Sequence, residues 1–428
     1  DYDLVFSTSF GYMAQTFDVS KYYRGCRTVG DGSDPEAEVK NTFFLHIGGY
    51  KANPRMSTAF AKIYQARYLT GIVAGHELLL QHTARVERGE NTDQPLCVGY
   101  VAAFPIPEVQ RGINAFTVGC RSVYSDCVVK VLWSGVWHDF KRETDAAGFL
   151  WNVGKCHMIT QHSDTIEPQK YYKDKGGSGI GYNTNARSLV GDSVLQSGIL
   201  QWAPVFNYFV NVVKSGAWDP DARDPEKGGD ANLQERAWFG LDMDAVKIAP
   251  YFSPKVSPDV QELIYRKKQA LVDAKGSDAF HKIFCGNLKY RWRYKRVTNG
   301  NQRITGCGFQ PEWERLEEPQ SINSKHFWRP DKTQLGEGDV PTEHDCLSGF
   351  NYPGQALLET AYPDPIDPKN PEAVNEDLVF NDYLVEGVEL FEPMVTLFGT
   401  IHNDTSHGCF DEKGTLGDRF YTSPKEYP

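Results

Sequence analysis

Hydrophobic positions in the amino-terminal part of the chain form two short apolar runs and one long amphipathic stretch. The runs at 4–6 and 41–49 predict buried β-strands, and the first has the pattern of a strand in the middle of a parallel sheet. Residues 57–82 carry Ala, Ile, Leu and Val at helical spacing, which predicts a long helix capped by Ser57. The polar loop "ARVERGENTDQ" then marks the first predicted domain boundary.

Residues 96–183 alternate regularly between apolar runs and amphipathic segments. The predicted strands are "LCVGYVAAF", "CVVKVLW", "CHMITQH" and "GSGIGYN", and a predicted helix separates each from the next. This order is typical of right-handed βαβ units. It predicts an α/β lobe in which helices cover both faces of a parallel sheet.

The rest of the chain changes in character. A strand "SVLQSGIL", a helix "APVFNYFVNVVKSG", two short strands and the helix "SPDVQELIYRKKQALVDAKG" precede a stretch rich in Pro, Asp and Glu with little periodicity. We therefore divide the chain as follows: 1–95 as the remainder of a first α/β lobe with a crossing segment near 196–215, 96–195 and 235–307 as a second α/β lobe, and 308–428 as an irregular, cysteine-containing extension.

Composition narrows the range of partners. The chain of 428 residues has a net charge of −11 and 40% hydrophobic residues, enough for ordinary cores. The stretch "KYRWRYKR" at 289–296 alternates basic and aromatic residues, and we interpret it as the solvated face of a hairpin strand, with a phosphate contact as the alternative. No apolar run reaches the ~18 residues of a membrane helix. We expect neither a nucleic-acid partner nor a membrane span.

Nine cysteines indicate disulfides and an oxidising compartment. Cys120 and Cys127 close a short loop, and Cys285 and Cys307 flank a predicted hairpin with "TNGN" at its tip. Buried free thiols in a reducing compartment are the alternative. We expect an extracellular location or a secretory lumen, although this chain shows no signal peptide.

Catalytic and metal-binding patterns are incomplete in this sequence. "GHELLLQH" has Leu80 where a zinc-binding helix needs its second His, and "GGSGIG" has Ile180 where a nucleophile elbow needs Gly. The cluster "HNDTSHGCFD" has metal-binding residue types, but a disulfide-bearing loop is the favoured interpretation. We expect no enzymatic activity, no metal and no cofactor.

Ligand-binding candidates come from the carboxyl ends of the predicted parallel strands, the edge at which open α/β folds bind ligands. Each of these residues alone is more often structural, but polar and aromatic side chains recur at successive strand ends. Aromatic rings with a few amide, carboxyl and imidazole groups suit a flat polar ring system. The candidates are Phe10, Tyr12, Phe104, Trp137, His162, Asp164, Tyr182 and Asn183.

Several stretches resemble one known family. They are "GYKANPRMSTAFAKIYQARYLTGIVAG", "VGYVAAFPIPEVQRGINAFTVGCRSV", "ITQHSDT" and "GIGYNTNA". They resemble the basic membrane protein family of substrate-binding proteins, which is similar to purine nucleoside-binding lipoproteins and has the type 1 periplasmic binding protein fold. The resemblance runs from Asp1 to about Cys307, with an echo near 381–389.

The resemblance implies two α/β lobes joined by crossing strands, which close on a purine nucleoside or related base without catalysing a reaction. For such a ligand we expect Tyr12, Phe104 and Trp137 to stack on it, while His162, Asp164 and Asn183 form hydrogen bonds with it. The stretch "DYDLVFSTSFGY" resembles the third strand of the family. By that comparison the first βα units are expected on a separate segment, or another chain covers the open lobe.

Some positions depart from the pattern of the family. Ala14 stands where a turn usually carries Asp, Asn183 where nucleoside-binding members carry Asp, and Leu200 or Gln201 where many carry Lys. Each lost hydrogen bond to a ligand costs ~0.5–1.5 kcal/mol. Two functions therefore stay open. One is a secreted solute-binding protein for a purine-like ligand; the other is an extracellular structural or assembly protein with a degenerate cleft, which contacts further subunits.

Overall fold

The structure is a computed structural model of the chain. It describes residues 2–22, 42–49, 51–104, 107–220, 236–274, 279, 282–285, 288–294, 313–321, 327–328, 335–336, 338–340, 346–347 and 383–390. In this part of the chain, helices pack on parallel sheets, and the predicted α/β class is confirmed.

Strands and helices alternate through most of the described chain. The strands are β1 (Leu4–Ser7), β2 (Phe43–Ile47), β3 (Met56–Ala61), β4 (Cys97–Ala102), β5 (Val128–Trp133), β6 (Met158–His162), β7 (Ser178–Gly181), β8 (Val194–Leu200), β9 (Arg236–Phe239), β10 (Val246–Ile248), β11 (Lys289–Tyr294), β12 (Trp313–Ser321), β13 (Phe327–Trp328), β14 (Cys346–Leu347), β15 (Tyr383–Val385) and β16 (Val388–Leu390). The helices are α1 (Met13–Tyr22), α2 (Ile63–Glu87), α3 (Pro107–Arg121), α4 (Phe140–Asn152), α5 (Glu167–Asp174), α6 (Ala186–Val190), α7 (Trp202–Lys214) and α8 (Pro258–Ala274).

The first sheet contains β1, β2, β3 and β9 in that order, and all of its pairings are parallel. Side chains of β2 alternate between the two faces of the sheet. Phe43, Leu45 and Ile47 belong to the core shared with α7, whereas Phe44 packs with Met13 of α1. A helix therefore covers each face of this sheet, as is typical of an α/β lobe.

The opening strand pairs with one neighbour among the described residues, and its interior position in a complete sheet stays a prediction. β1 stands at the edge of the first sheet and pairs with β2 on one side. Leu4 and Phe6 pack toward the α7 face, while Val5 packs with Phe44 on the other. An apolar pattern on both sides of a strand reports helices above and below it, and it does not report which strands lie beside it.

The predicted helix start at Ser57 is wrong. Met56–Ala61 is the buried strand β3, and α2 begins only at Ile63. Small and apolar residues fit a helical period as well as they fit a buried strand. Pairing with β2 on one side and β9 on the other determines the strand conformation.

One part of the predicted domain division needs correction. We assigned 235–307 to the second lobe, but β9 pairs with β3 in the first sheet. α7 packs on the first sheet through Val205 and Phe209, within the segment near 196–215 that we assigned to the first lobe. β10, by contrast, lies in the second sheet beside β8. The last crossing between the sheets therefore falls between β9 and β10, and not before residue 235, because short strands carry no mark of the sheet they join.

The second sheet has the order β10-β8-β7-β6-β4-β5-β16 in the described residues. β10 is antiparallel to β8, and the other neighbours are parallel. The predicted parallel arrangement of the strands between 96 and 183 is therefore confirmed. α2 and α3 cover one face, and α4 and α5 cover the other.

α2 and α3 pack with their backbones almost in contact. A Cβ atom added at Gly71 of α2 would lie 2.2 Å from the carbonyl oxygen of Phe116 on α3. Glycine at this position lets the two helices approach closely, since any side chain would force them apart. The approach brings the guanidinium of Arg67 to 5.1 Å from the ring centroid of Phe116.

Part of the predicted extension joins the folded body. β16 pairs in parallel with β5, and the backbone N–H of Val129 donates to the carbonyl oxygen of Gly387 at 2.8 Å. The backbone N–H of Val385 in β15 donates to Asn114 Oδ1 on α3 at 3.1 Å. Residues 383–390 thus cover one edge of the second sheet and contact α3.

The first strand of the predicted hairpin at 285–307 is present as β11, and the hairpin pairing stays a prediction. β11 pairs in antiparallel fashion with β12 on one side and with β15 on the other. The "TNGN" stretch and the second predicted strand lie outside the described residues. The strand that carries "KYRWRY" is therefore the middle strand of a small sheet.

Two disulfides join described cysteines, and one of them was predicted. Cys120 and Cys127 are bonded as expected, while the Cys97–Cys156 bond was not foreseen. Cys285 is disulfide-bonded, but Cys307 lies outside the described residues, so their pairing stays a prediction. Among the helices within the described residues, none combines the length and apolar character of a membrane span.

Candidate functional site

Neighbouring strands of the second sheet bring most of the candidate residues together. β7, β6, β4 and β5 lie side by side, and their carboxyl ends share one edge. The segments that leave this edge carry Phe104, Trp137, His162, Asp164, Tyr182 and Asn183. The strand pattern predicted that these residues lie at one edge of the sheet. Their binding of a ligand stays a prediction.

The aromatic members form a continuous row. The ring centroids of Phe104 and Trp137 lie 5.7 Å apart, those of Trp137 and His162 lie 6.4 Å apart, and those of His162 and Tyr182 lie 4.3 Å apart. His162 and Tyr182 are buried, whereas Phe104 and Trp137 are half-buried. The row therefore runs from a buried floor to rings that a ligand can reach.

A carboxyl and an amide stand side by side at the same edge. Asn183 Nδ2 donates to Asp164 Oδ1 at 3.5 Å. Desolvation raises the pKa of Asp164, while His138 and the Asn183 amide lower it. Asn183 has a φ of 67°, the left-handed conformation that Asn adopts more readily than most residues. This pair offers acceptors and a donor next to the exposed rings.

The two amino-terminal candidates belong to a different part of the fold. Tyr12 ends the short turn Phe10–Tyr12 after β1 and is 47% exposed. It lines a groove on the first sheet together with Val5, Thr16 and Phe44. The side chain of Phe10 lies outside the described residues. Stacking of Tyr12 on a ligand stays a prediction.

His162 is held as a neutral imidazole. Burial lowers its pKa well below the usual value, and the positive charges of Arg67 and Arg111 lower it further. Tyr100 Oη lies 3.3 Å from His162 Nδ1. A Cβ atom at Gly112 would lie 2.7 Å from that same nitrogen, so only glycine lets α3 pass so close to the ring. A neutral imidazole presents one donor and one acceptor.

Arg67 lies beside the candidate site and was not predicted from the sequence. The side chain is fully buried, and Nη1 donates to Thr160 Oγ1 at 3.1 Å. Its guanidinium lies 4.7 Å from the ring centroid of Tyr100 and 5.6 Å from that of Tyr182. These cation–π contacts fix the aromatic floor of the candidate site. The available signal was that Arg67 is the single charged residue in "YQARYLTGIVAG".

The first turns of α3 add two more charged groups. Burial raises the pKa of Glu108 to about 7, while Arg111 lowers it and Asp164 raises it. Arg111 is 2% exposed. α3 follows β4, so its first turns lie at the carboxyl edge of the sheet, where α/β folds bind ligands. The same rule that selected Phe104 could have selected "PEVQR" as well.

Arg111 also connects the two sheets. Its guanidinium lies 5.1 Å from the ring centroid of Trp238, which belongs to β9 of the first sheet. Trp238 in turn stacks on Phe60 of β3, with centroids 4.9 Å apart and an interplanar angle of 18°. An aromatic ring of the first sheet therefore meets a charged group at the carboxyl edge of the second. Nothing local in "RAWF" predicts this contact.

The arrangement suits binding better than group transfer. Accessible rings offer stacking faces, Asp164 and Asn183 offer in-plane hydrogen bonds, and Glu108 with Arg111 adds charge at the wall. Among the described residues, no group of three or more His, Cys, Asp or Glu side chains is placed to hold a metal ion. The sequence cluster at His402, His407, Cys409 and Asp411 lies outside the described part of the chain.

Comparison with known proteins identifies the family. The family described as "ABC transporter substrate-binding protein PnrA-like" matches residues 1–274. Since this match covers more than half of the chain, the chain belongs to this family of solute-binding proteins of ABC transporters. The resemblance found in the sequence is confirmed.

Individual relatives are more distant. The chain is 29% identical over 260 residues to a purine-binding protein of Brucella abortus (strain 2308), which covers 61% of each chain. It is 29% identical over 273 residues to a putative ABC transporter glucose-binding protein of Haloferax volcanii, covering 64% of this chain and 58% of the relative. The chain thus spans less than two thirds of the length of either relative.

The fold also has similar solved structures. One is a solute-binding protein of an ABC transporter system from Aeropyrum pernix K1, with a TM-score of 0.48 and 13% identity. That similarity covers 64% of this chain and 76% of the solved chain.

Proposed function

We propose that this protein is a solute-binding protein that holds a purine-like molecule in the cleft between its two sheets. The observation that carries the proposal is the row of rings from Phe104 to Tyr182, flanked by Asp164 and Asn183 at the same strand edge. A purine needs stacking on its faces and hydrogen bonds around its rim. This edge provides both.

In this proposal the half-buried rings of Phe104 and Trp137 stack on the ligand. Asp164 accepts a hydrogen bond from a ring or amino N–H group, and Asn183 donates to a ring nitrogen or carbonyl oxygen. Trp238, supplied by the first sheet, closes the cleft from the other side. The proposal includes an extracellular location and a membrane transporter as partner, and it includes no catalytic step.

The purine-binding relative supports this ligand class. The glucose-binding relative makes a sugar the main alternative ligand. Both ligands stack on aromatic rings, so the rings alone do not separate them. A neutral His162 and the Asp164–Asn183 pair match the mixed donors and acceptors of a purine rim.

Calorimetric titration of the purified protein with xanthine, guanosine, adenosine and D-glucose tests the proposal. Trp137→Ala is expected to weaken purine binding about 10–100-fold, because base–aromatic stacking contributes roughly 1–3 kcal/mol. Phe140→Ala is the matched control, since that ring lies on the same segment and is 60% exposed. Binding of glucose alone, or equal loss in both variants, would contradict the proposal.

The same sample also distinguishes solute binding from the alternative function as a structural or assembly protein. Native mass spectrometry is expected to show a defined species that releases a small molecule on denaturation. Large assemblies that release no ligand would support the structural alternative.

A further inference from the structure

A buried carboxylate behind the site fixes the loop that carries Asp164. Glu143 lies in the first turn of α4 and is fully buried. Its Oε2 atom accepts hydrogen bonds from Ser163 Oγ at 2.5 Å and from Thr165 Oγ1 at 2.8 Å. These two residues flank Asp164 on both sides. One oxygen atom therefore anchors the backbone immediately before and after the candidate ligand-binding carboxyl.

The same loop is tied to the segment that carries Trp137. The backbone N–H of Asp164 donates to the carbonyl oxygen of Trp137 at 2.6 Å. Gln161 Nε2 donates to the carbonyl oxygen of Thr165 at 2.9 Å. Movement of the 163–165 loop would therefore displace Asp164 and Trp137 together.

The other carboxylate oxygen of Glu143 accepts a hydrogen bond at the start of α4. Oε1 accepts from the backbone N–H of Asp139 at 3.2 Å, while Asp139 Oδ1 accepts from the backbone N–H of Arg142 at 2.9 Å. These two hydrogen bonds cap the start of α4. Capping alone needs only Oε1, so it does not account for the two hydroxyl groups on Oε2.

We propose that Glu143 is the positioning residue of the candidate site, which sets Asp164 and Trp137 by holding the 163–165 loop against α4. This inference rests on the proposed function. Groups that support a binding residue from behind keep it within a narrow range of geometry. Glu143 does so without needing any contact of its own with the ligand.

The test compares Glu143→Gln with Glu167→Gln, a control with the same substitution in the first turn of α5, where Glu167 pairs with Lys170 at 2.7 Å. Glu143→Gln is expected to weaken binding of the best purine about tenfold. In an Asp164→Asn background the same substitution is expected to have less than about a twofold effect, since interacting residues are non-additive. Equal effects in both backgrounds would overturn the proposal.

Hydrogen exchange supplies a readout that needs no ligand. In Glu143→Gln the amide of Asp164 is expected to exchange faster than in the wild type, because its carbonyl partner on Trp137 is no longer held in place. Unchanged exchange across 163–165 would overturn the proposal. Ser163→Ala is the second variant if Glu143→Gln does not fold, since it leaves the α4 cap intact, and the same exchange result is expected. If the wild type binds no purine, the proposed function fails while exchange still decides the role of Glu143.

Discussion

The guanidinium of Arg111 lies 5.1 Å from the ring centroid of Trp238 and joins the two sheets across the candidate cleft. Arg111 comes from α3 beside the second sheet, and Trp238 comes from β9 of the first. The ring of Trp238 also stacks on Phe60, which holds it in place. The contact between Arg111 and Trp238 forms when the two walls of the candidate cleft face each other.

Trp238→Leu is expected to weaken purine binding. The variant removes a cation–π contact of ~0.5–2 kcal/mol, which corresponds to an affinity loss of about 2–30-fold. Calorimetric titration measures the effect. Trp151→Leu is the control, since Trp151 also stacks on a neighbour, His157, at 4.7 Å. A similar loss of affinity in both variants would contradict the prediction.

Glu108 is expected to make the protein less stable as the pH rises. Burial raises its pKa from 4.5 to about 7. Between these values the folded protein keeps a proton that the unfolded chain has released, so the free energy of unfolding falls with rising pH by up to ~1.4 kcal/mol per pH unit. His162 acts in the opposite direction, because its lowered pKa costs stability as the pH falls below about 6.5.

Glu108→Gln isolates the contribution of this carboxyl. Its advantage in unfolding free energy over the wild type is expected to grow by about 2 kcal/mol between about pH 5 and about pH 8. Urea unfolding at both pH values measures it. The control is Glu77→Gln on α2, and the same trend in that variant would refute the assignment to Glu108.

Arg67→Ala is expected to lower the free energy of unfolding by about 2–5 kcal/mol, because it leaves a cavity among Tyr100, Phe116 and Tyr182. Arg67→Met fills most of that space and removes a buried charge, so its loss is expected to be smaller. Urea unfolding compares the two variants. A larger loss in Arg67→Met would show that the charge, and not the packing, stabilises the aromatic floor.

The Cys97–Cys156 disulfide is expected to stabilise the fold more than Cys120–Cys127. The bonded residues are separated by 59 positions in the first and by 7 in the second. Loop-closure entropy grows with the logarithm of loop length, so the double Ala variants are expected to differ by about 2 kcal/mol. Denaturant unfolding without reductant measures both variants. A greater loss in Cys120→Ala/Cys127→Ala would contradict the prediction.

Local pattern was sufficient for the strands and helices between 96 and 183. β4 and β5 are apolar runs rich in β-forming residues, and the amphipathic segments between the strands have the period of helices. The carboxyl-edge rule then selected Phe104, Trp137 and His162, which the structure brings together. These predictions hold because the period of a segment depends on neighbours only a few positions away.

Segments with mixed signals were misread. Met56–Ala61 fits a helix by period, and pairing with β2 and β9 makes it a strand. β9 itself is too short to show which sheet it joins. In both cases the deciding hydrogen bonds come from distant parts of the chain.

The sequence by itself determined the α/β class, the family and the strand ends that carry candidate ligand-binding residues. Tertiary structure alone decided that Arg67 lies beneath Tyr100 and Tyr182, that Trp238 reaches Arg111, and that β16 covers β5. The physical reason is range. Secondary structure follows the spacing of nearby side chains, whereas the contacts of a cleft join residues far apart in sequence, whose meeting depends on strand order and helix packing across the whole fold.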